Sequence, residues 1–247
     1  MSTWQTIRDL LHTNLAKTIW FNYKMLPRKQ ARRLPIWVYG RFTARSTAGT
    51  IEIDGPVNPG MIRIGKRDYY VNTAVPQSIW TVRGKIRFTG RTWFIMSSYV
   101  LVSDNATLSF GRSGSYLGSN TRIICFREIS FGDYAHIAWD CQFIDSSFHY
   151  LEHVDSGELT GPLTKPVVIG ARVWIGNRST ISRGTVLPDD TIVASNSLTN
   201  RDYSDLGPFC LLAGAPATVK ARQVKRIWSE KRQQELDQQY GYVRTHL

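Results

Sequence analysis

This chain of 247 residues is short of carboxylates, cysteine and long apolar runs. Asp and Glu number 19 against 31 Lys and Arg, a formal net charge of +12. That balance favours an anionic partner (nucleic acid, anionic lipid, an acidic polymer or a phosphate-rich cofactor) without choosing among them. Part of it is local, with Lys17, Lys24, Arg28, Lys29, Arg32 and Arg33 crowded into one segment. No nucleic-acid recognition motif accompanies the charge, so nucleic acid is not the expected partner. The three cysteines, Cys125, Cys141 and Cys210, are far apart and form no Cys-x-x-Cys pair. A disulfide framework or zinc site is therefore not expected, and the three read as buried small apolar residues. No apolar run approaches the roughly 18 residues that span a bilayer. Met1 to Arg8 lacks the basic-then-apolar pattern of a signal peptide. The expected location is the cytoplasm, or the inner face of the membrane.

What is present is enough apolar residue, 42% of the chain, to bury a sizeable core. Residues 2–26 predict a helix, because Trp4, Ile7, Leu11 and Leu15, with Leu10 and Ile19 nearby, fall at helical spacing. Pro27 and Pro35 interrupt the pattern around the basic stretch. A basic amphipathic segment of this kind packs on a domain or another subunit, or lies on a membrane surface. Peripheral membrane contact through residues 1–35 is thus one expectation. From about Ile51 short runs of Ile, Val and Phe alternate with Gly, Asn, Asp and Ser, as in Ile51-Glu52-Ile53-Asp54-Gly55. These predict short strands ended by turns. The aromatic stretch from Trp80 to Tyr99 reads as filling for the first coils. The predicted organisation is a helical basic segment over 1–45, a β domain over 46–215 with a loop at about 146–166, and a helical tail over 216–247.

The strongest internal signal is a repeat of six. Ile169, Ile175, Ile181, Leu187 and Val193 follow at steps of six, each succeeded by a mostly small residue: Gly170, Gly176, Ser182, Pro188, Ala194. The fifth positions, Val173, Ser179, Thr185, Thr191 and Ser197, are small or β-branched. Shorter runs are Phe131, Ile137, Phe143 and Leu117, Ile123, with a phase slip of two residues between Leu117 and Phe131. One aliphatic residue every six suits a triangular coil with a strand on each side, the aliphatic side chain pointing to the axis and small residues turning the corners. Such coils stack, each burying its neighbour's edge. The fold class is therefore mainly β, a parallel β-helix solenoid with an N-terminal helical segment and a C-terminal helix.

These repeats resemble the hexapeptide-repeat acyltransferase superfamily, in its sugar and polysaccharide O-acetyltransferase branch. The block Lys165-Pro166-Val167-Val168-Ile169-Gly170-Ala171-Arg172-Val173-Trp174-Ile175-Gly176 carries the likeness most specifically, and Ala213-Gly214-Ala215-Pro216-Ala217 supports it. Leu26 to Pro35 is similar to the start of bacterial acyltransferases for capsule, exopolysaccharide or O-antigen assembly. The resemblance implies a left-handed β-helix, an exception to the right-handed crossover rule. It also implies a C-terminal helix in which Val224, Ile227 and Trp228 face the core. Acetyl-coenzyme A is the implied acyl donor, with no metal, and a homotrimer the implied assembly, with the site between subunits.

Acyl transfer from a thioester to a hydroxyl or amine needs a base, an oxyanion donor and two substrates held in reach. Histidine suits the base, because its pKa lies near neutral pH. His149 is the candidate, in Phe143-Ile144-Asp145-Ser146-Ser147-Phe148-His149. The family motif is Asp-x-Asp-x-His before an excursion from the coil; here Ser147 replaces the second Asp, which changes what can orient the ring. Phe131 plus one coil of 18 gives 149, and Asp145, Glu152 or a backbone carbonyl is the expected orienting partner. His153 is a competing base, and His136 reads as structural. The resemblance places coenzyme A contacts at Trp174, Asn177, Ser195, Asn200, Arg201, Thr218 and Lys220, with Arg222 a further phosphate partner. The oxyanion donor is expected to be a backbone N–H. The expected reaction is O-acetylation of a sugar in a surface polysaccharide or its precursor. N-acylation of a nucleotide-linked amino sugar or a small xenobiotic is the alternative. A γ-class carbonic anhydrase, which needs three converging histidines, and a non-catalytic β-helix are weaker readings.

Overall fold

The computed structural model describes residues 7, 9–67 and 76–242. Among them, strands form three sheets of nine, seven and six members. Consecutive strands visit the sheets in rotation, as Ile36–Val38, Arg41–Thr47 and Thr50–Ile53 do before Ile62–Lys66 returns to the first. Each strand pairs in parallel with the strand one coil away. The result is a triangular prism, a left-handed parallel β-helix. It ends where Cys210–Gly214 pairs with the antiparallel strand Ala217–Arg222.

The hexapeptide positions sit where their chemistry requires. Ile169, Ile175, Ile181, Leu187 and Val193 are buried on the axis, and the fifth positions Val173, Ser179, Thr185, Thr191 and Ser197 are buried beside them. Each corner turns through a residue in the left-handed region: Arg172, Arg178, Gly184, Asp190 and Asn196 repeat at steps of six with φ between 55° and 77°. Gly170 is forced by the stack itself. A Cβ there would lie 2.6 Å from the backbone N of Asp189 in the next coil.

The phase slip has a structural cause. Strands before residue 132, such as Arg122–Cys125 and Glu128–Phe131, put two residues inward rather than one. Register pairs Leu117 with Ile137 and Phe110 with Phe131, steps of 20 and 21 residues, whereas Ile175 pairs with Val193 at a step of 18. The wider coils hold Phe42, Trp80, Phe88, Phe94 and Phe110, all buried, so the Trp80 to Tyr99 stretch does supply core aromatics.

The prism's first strand would expose an edge of unpaired peptide groups. Helix α1 (Leu15–Met25) covers it. The Asn22 side-chain amide donates to Ile36 O at 2.6 Å while its oxygen accepts from Ile36 N at 3.1 Å. Thr18 accepts from Val38 N at 3.1 Å, and Phe21 packs edge-on against Phe42. The α1 face that is buried is thus Thr18, Phe21, Asn22 and Met25. The apolar stripe expected to pack, Ile7, Leu11, Leu15 and Ile19, is exposed instead. Satisfying the strand's backbone groups decided which side faces in. Trp4 of that stripe lies outside the described residues. The helix is also interrupted, with Asn14 capping α1 by accepting from Lys17 N. A short helix α2 (Arg28–Ala31) follows, and parallel pairing starts at Ile36, ahead of position 46 where the strands were expected to begin.

At the other end, Val224, Ile227 and Trp228 precede helix α3 (Glu230–Gln239) rather than lying in it, and α3 buries none of its residues. Trp228 lies across the outside of the first sheet, with its ring centroid 6.1 Å from that of His136. Arg226 sits between the Trp228 and Trp174 rings, 4.3 and 5.4 Å from their centroids.

Candidate active site

The only long interruption of the coil among the described residues falls between Gln142–Ile144 of the second sheet and Val167–Ile169 of the third. Phe143 pairs with Ile181 and Phe131 with Ile169, so one coil here takes 38 residues. The position one coil beyond Phe131 is therefore Ile169. His149 is carried out of the prism on an excursion from the corner between sheets two and three.

The base of the excursion is tied back. Ser147 N and its hydroxyl both donate to Leu163 O, at 3.0 and 3.2 Å, and Lys165 N donates to Asp145 O at 3.0 Å. Phe148 adopts φ 62°, costly for a residue with a Cβ. Its amide donates to the Ser146 hydroxyl, and its ring packs edge-on against Phe126 at 5.6 Å. This turn presents the exposed His149 to solvent. The Ser147 hydroxyl also lies 3.0 Å from the His149 carbonyl. Ser147 thus contacts the backbone of His149 and not its ring.

Asp145 does not orient His149. Its buried carboxylate accepts from Phe126 N, Arg127 N and Glu128 N at 2.7–2.8 Å, with the Cys125 thiol at 3.8 Å. Three backbone donors on one carboxylate make it the clamp of the neighbouring corner, in the coil against which the excursion starts. Burial and the Asp145 charge push the Cys125 thiol's pKa well above its ordinary value, so it stays protonated. All three cysteines are buried and free.

The other histidines divide cleanly. His136 points outward from the first sheet but is covered, stacked on Tyr116 at 4.8 Å. Burial, with the Arg226 charge beside it, pushes its pKa down to about 3, which keeps it neutral. His153 is at the excursion's exposed tip, where its amide donates to Glu158 O. No group of three or more His, Cys, Asp or Glu suited to a metal ion occurs among the described residues.

Beside the excursion's return lies an open cavity of about 570 Å³ lined by Lys165, Ser182, Arg183, Gly184, Asn200, Arg201 and Asp202. It occupies the same corner of the prism, between sheets two and three, as the excursion. Lys165, Arg183 and Arg201 stand at steps of 18 residues, one cation per coil, so successive charges climb the corner about 4.8 Å at a time. Arg183 donates to Pro162 O at 2.8 Å, tying the excursion to this ladder. Arg201 lies over the Tyr203 ring at 4.4 Å and reaches Asp205 at 3.8 Å. The Asp202 carboxylate is held below its usual pKa by hydrogen bonds from Ser204. Three cations against one lining carboxylate make the cavity suited to an anion such as a phosphate.

The cofactor residues expected from sequence fall into two groups. Asn200 and Arg201 line the cationic cavity. Asn177 and Ser195 meet at the corner between sheets one and two, where the Ser195 hydroxyl donates to Asn177 Oδ1 at 2.6 Å. Trp174 is partly exposed on sheet one, and Thr218 and Lys220 are exposed on the closing antiparallel strand. Within one chain, sheet two separates these groups. Lys165 and Arg183 were not foreseen, although the 18-residue spacing to Arg201 was there to be read.

No protein-family model matches the chain. A relative from Klebsiella pneumoniae, described as an uncharacterized 24.8 kDa protein in cps region, is 30% identical over 142 residues. The match covers 58% of this chain and spans only 60% of the relative's length. Among solved structures, the polySia specific acetyltransferase NeuO superposes with a TM-score of 0.55 at 16% identity, covering 77% of this chain and 85% of its own. The polysialic acid O-acetyltransferase OatWY aligns at 17% identity over 82% of this chain and 96% of its own, with a TM-score of 0.40. With its period of six, its three parallel sheets and the superposition on NeuO, the chain has a left-handed parallel β-helix fold.

Proposed function

We infer that the protein is an acyl-coenzyme A-dependent acyltransferase that O-acetylates a sugar of a bacterial surface polysaccharide or its precursor, with His149 as general base. The observation that carries this reading is the shared corner: the excursion bearing His149 is fastened through Pro162 to a cation ladder fit for phosphates. Bound there, acetyl-coenzyme A supplies an acetyl group activated as a thioester. Lys165, Arg183 and Arg201 hold its phosphates, with Asn200 beside them. An imidazole nitrogen of His149 takes the proton of the acceptor hydroxyl as its oxygen attacks the thioester carbonyl, then returns that proton to the departing sulfur. Ser147 acts as a positioning residue through the His149 carbonyl, and Asp145 through the neighbouring corner against which the excursion starts.

The remaining expected contacts, Trp174, Asn177, Ser195, Thr218 and Lys220, then belong to the donor site of an adjacent subunit in a homotrimer. Phe148, Tyr150, Leu151, Val154 and Leu159 are all exposed on the excursion, which suits a segment covered by a neighbouring copy. The protein works in the cytoplasm, where acetyl-coenzyme A is available.

The test is thiol release from acetyl-coenzyme A by wild type and His149→Ala, with a panel of surface sugars, oligosaccharides and amino sugars. Acceptor-dependent release falls by about 10²- to 10⁴-fold in the variant, while its melting temperature holds. Equal turnover would remove His149 from the role and move attention to His153. Turnover confined to amino sugars would replace O-acylation by N-acylation.

A further inference from the structure

Helix α1 has two apolar faces, and the prism uses one of them. Thr18, Phe21, Asn22 and Met25 are buried against the first coil. On the remainder of the helix Leu15, Ile19, Trp20 and Tyr23 are 43–50% exposed, and Leu11 before it is 73% exposed. Leu15, Ile19 and Tyr23 are spaced four apart and form one stripe, with Ala16 and Trp20 on the row beside it. A cap needed only to close the prism would carry polar residues there, and a contiguous exposed apolar patch marks a docking surface.

Charge identifies what docks. Residues 10–51 contain Lys17, Lys24, Arg28, Lys29, Arg32, Arg33, Arg41 and Arg45 and not one Asp or Glu. All eight cations are exposed, and among the described residues no ion pair engages any of them. Lys17 and Lys24 flank the apolar stripe on α1 itself, the Lys17 ammonium lying 5.5 Å from the Trp20 ring centre. A second copy of this face would bring the same cations into contact, so self-association through it is opposed by charge. Anionic lipid offers both an apolar boundary for the stripe and phosphates for the cations.

We propose that α1 and the basic segment after it dock the protein on an anionic bilayer surface. Leu15, Ile19, Trp20 and Tyr23 enter the headgroup–acyl boundary, where Trp and Tyr are at home, and the lysines and arginines around them face the lipid phosphates. Described helices are too short and polar to cross a bilayer, so the contact is peripheral. The Asn22 and Thr18 bonds to the first strand make the docked helix part of the rigid prism, so that end of the prism sits on the lipid. This proposal sharpens the location given above and stands independently of the acyl-transfer chemistry.

The experiment is sedimentation of the full chain with vesicles of phosphatidylcholine alone and vesicles containing one-third phosphatidylglycerol. Wild type partitions onto the anionic vesicles at least tenfold more strongly than onto the neutral ones. Ile19→Glu/Trp20→Glu and Lys24→Glu/Lys29→Glu each reduce that partition at least tenfold, since each basic residue near the surface is worth roughly fivefold. Both variants alter exposed side chains only, so their melting temperatures and acceptor-dependent thiol release are unchanged. Wild type that ignores anionic vesicles overturns the proposal. So does undiminished binding by the Ile19→Glu/Trp20→Glu variant, which would leave the apolar face idle. A loss of assembly mass in that variant, with no lipid binding by wild type, would assign the face to a second copy instead.

Discussion

The two halves of the prism solve the same packing problem at different widths. Up to Phe131 most sides carry two inward residues, and the axis is filled with rings: Phe88 stacks on Phe110 at 5.2 Å, and Phe110 on Phe131 at 5.0 Å. From Val167 onward most sides carry one inward residue, and the axis is filled by Ile, Leu and Val with small hydroxyl residues between them. Two of those hydroxyls bond within the stack, Ser179 to Ala194 O at 3.1 Å and Thr185 to Thr199 at 3.3 Å. A triangle of 18 residues has no room for a ring on each side, and lengthening the sides makes that room. The wide half therefore supplies apolar area, while the narrow half supplies a fixed rise and repeated corners on which side chains can be aligned coil by coil. Arg183 and Arg201 of the cation ladder stand in the narrow half, with Lys165 at its entry.

Truncation in the wide half is the strongest test of this division. Trp80 is fully buried, edge-on to Phe94 at 4.8 Å, with its indole N–H 3.3 Å from the Ser98 hydroxyl. Trp80→Ala costs about 3–5 kcal/mol, and Ile181→Ala in the narrow half falls at the lower end of about 2–5 kcal/mol. Urea denaturation measures both. A larger loss at Ile181 would show that the narrow half carries the stability and that the assignment of roles is reversed.

The same difference in width explains what was legible in the sequence. Period six announces the narrow half, because each side there spends one inward residue and every corner recurs. In the wide half extra residues per coil shift the phase, so the repeat showed only as a slip near Ile129 although the fold continues unbroken. The edge of the first strand was not legible at all. Which face of α1 turns inward depends on backbone groups of Ile36 and Val38 that need Asn22 and Thr18, and no apolar pattern encodes that. The excursion that carries His149 could be found from the broken phase. Asp145 was readable as a carboxylate four residues before His149. That its oxygens are taken by Phe126, Arg127 and Glu128 follows only from the neighbouring coil.

The seam between the halves offers a pH test. His136 pairs across the first sheet with Tyr116 on the wide side and Trp174 on the narrow side. Its folded pKa of about 3 lies below the ordinary value of 6.5, so the unfolded chain binds the proton more readily. The contribution of a neutral, buried His136 is present in full above about pH 6.5 and is lost progressively as pH falls towards 3, on the order of a few kcal/mol. His136→Phe keeps a ring on Tyr116 and removes this part of the acid slope. An unchanged slope of unfolding free energy over that range would mean that His136 is solvated and that the seam is open.

The smallest expected effects, and the most local, come from two glycines. In the narrow half Gly170 has the backbone of the next coil over it, with Asp189 N and Pro188 C at 2.6 and 2.7 Å from where a Cβ would be. Neither atom can move without shifting a coil fixed by parallel pairing, so Gly170→Ala costs about 1–3 kcal/mol. In the wide half Gly114 meets nothing within 4 Å, and its φ is one an alanine adopts. Gly114→Ala removes freedom from the unfolded chain and stabilises by about 0.4–1 kcal/mol. Measured by the shift in melting temperature, the pair should move in opposite directions. If Gly170→Ala proves neutral, the coils of the narrow half can separate at that corner, and a cation ladder built on a fixed rise loses its foundation.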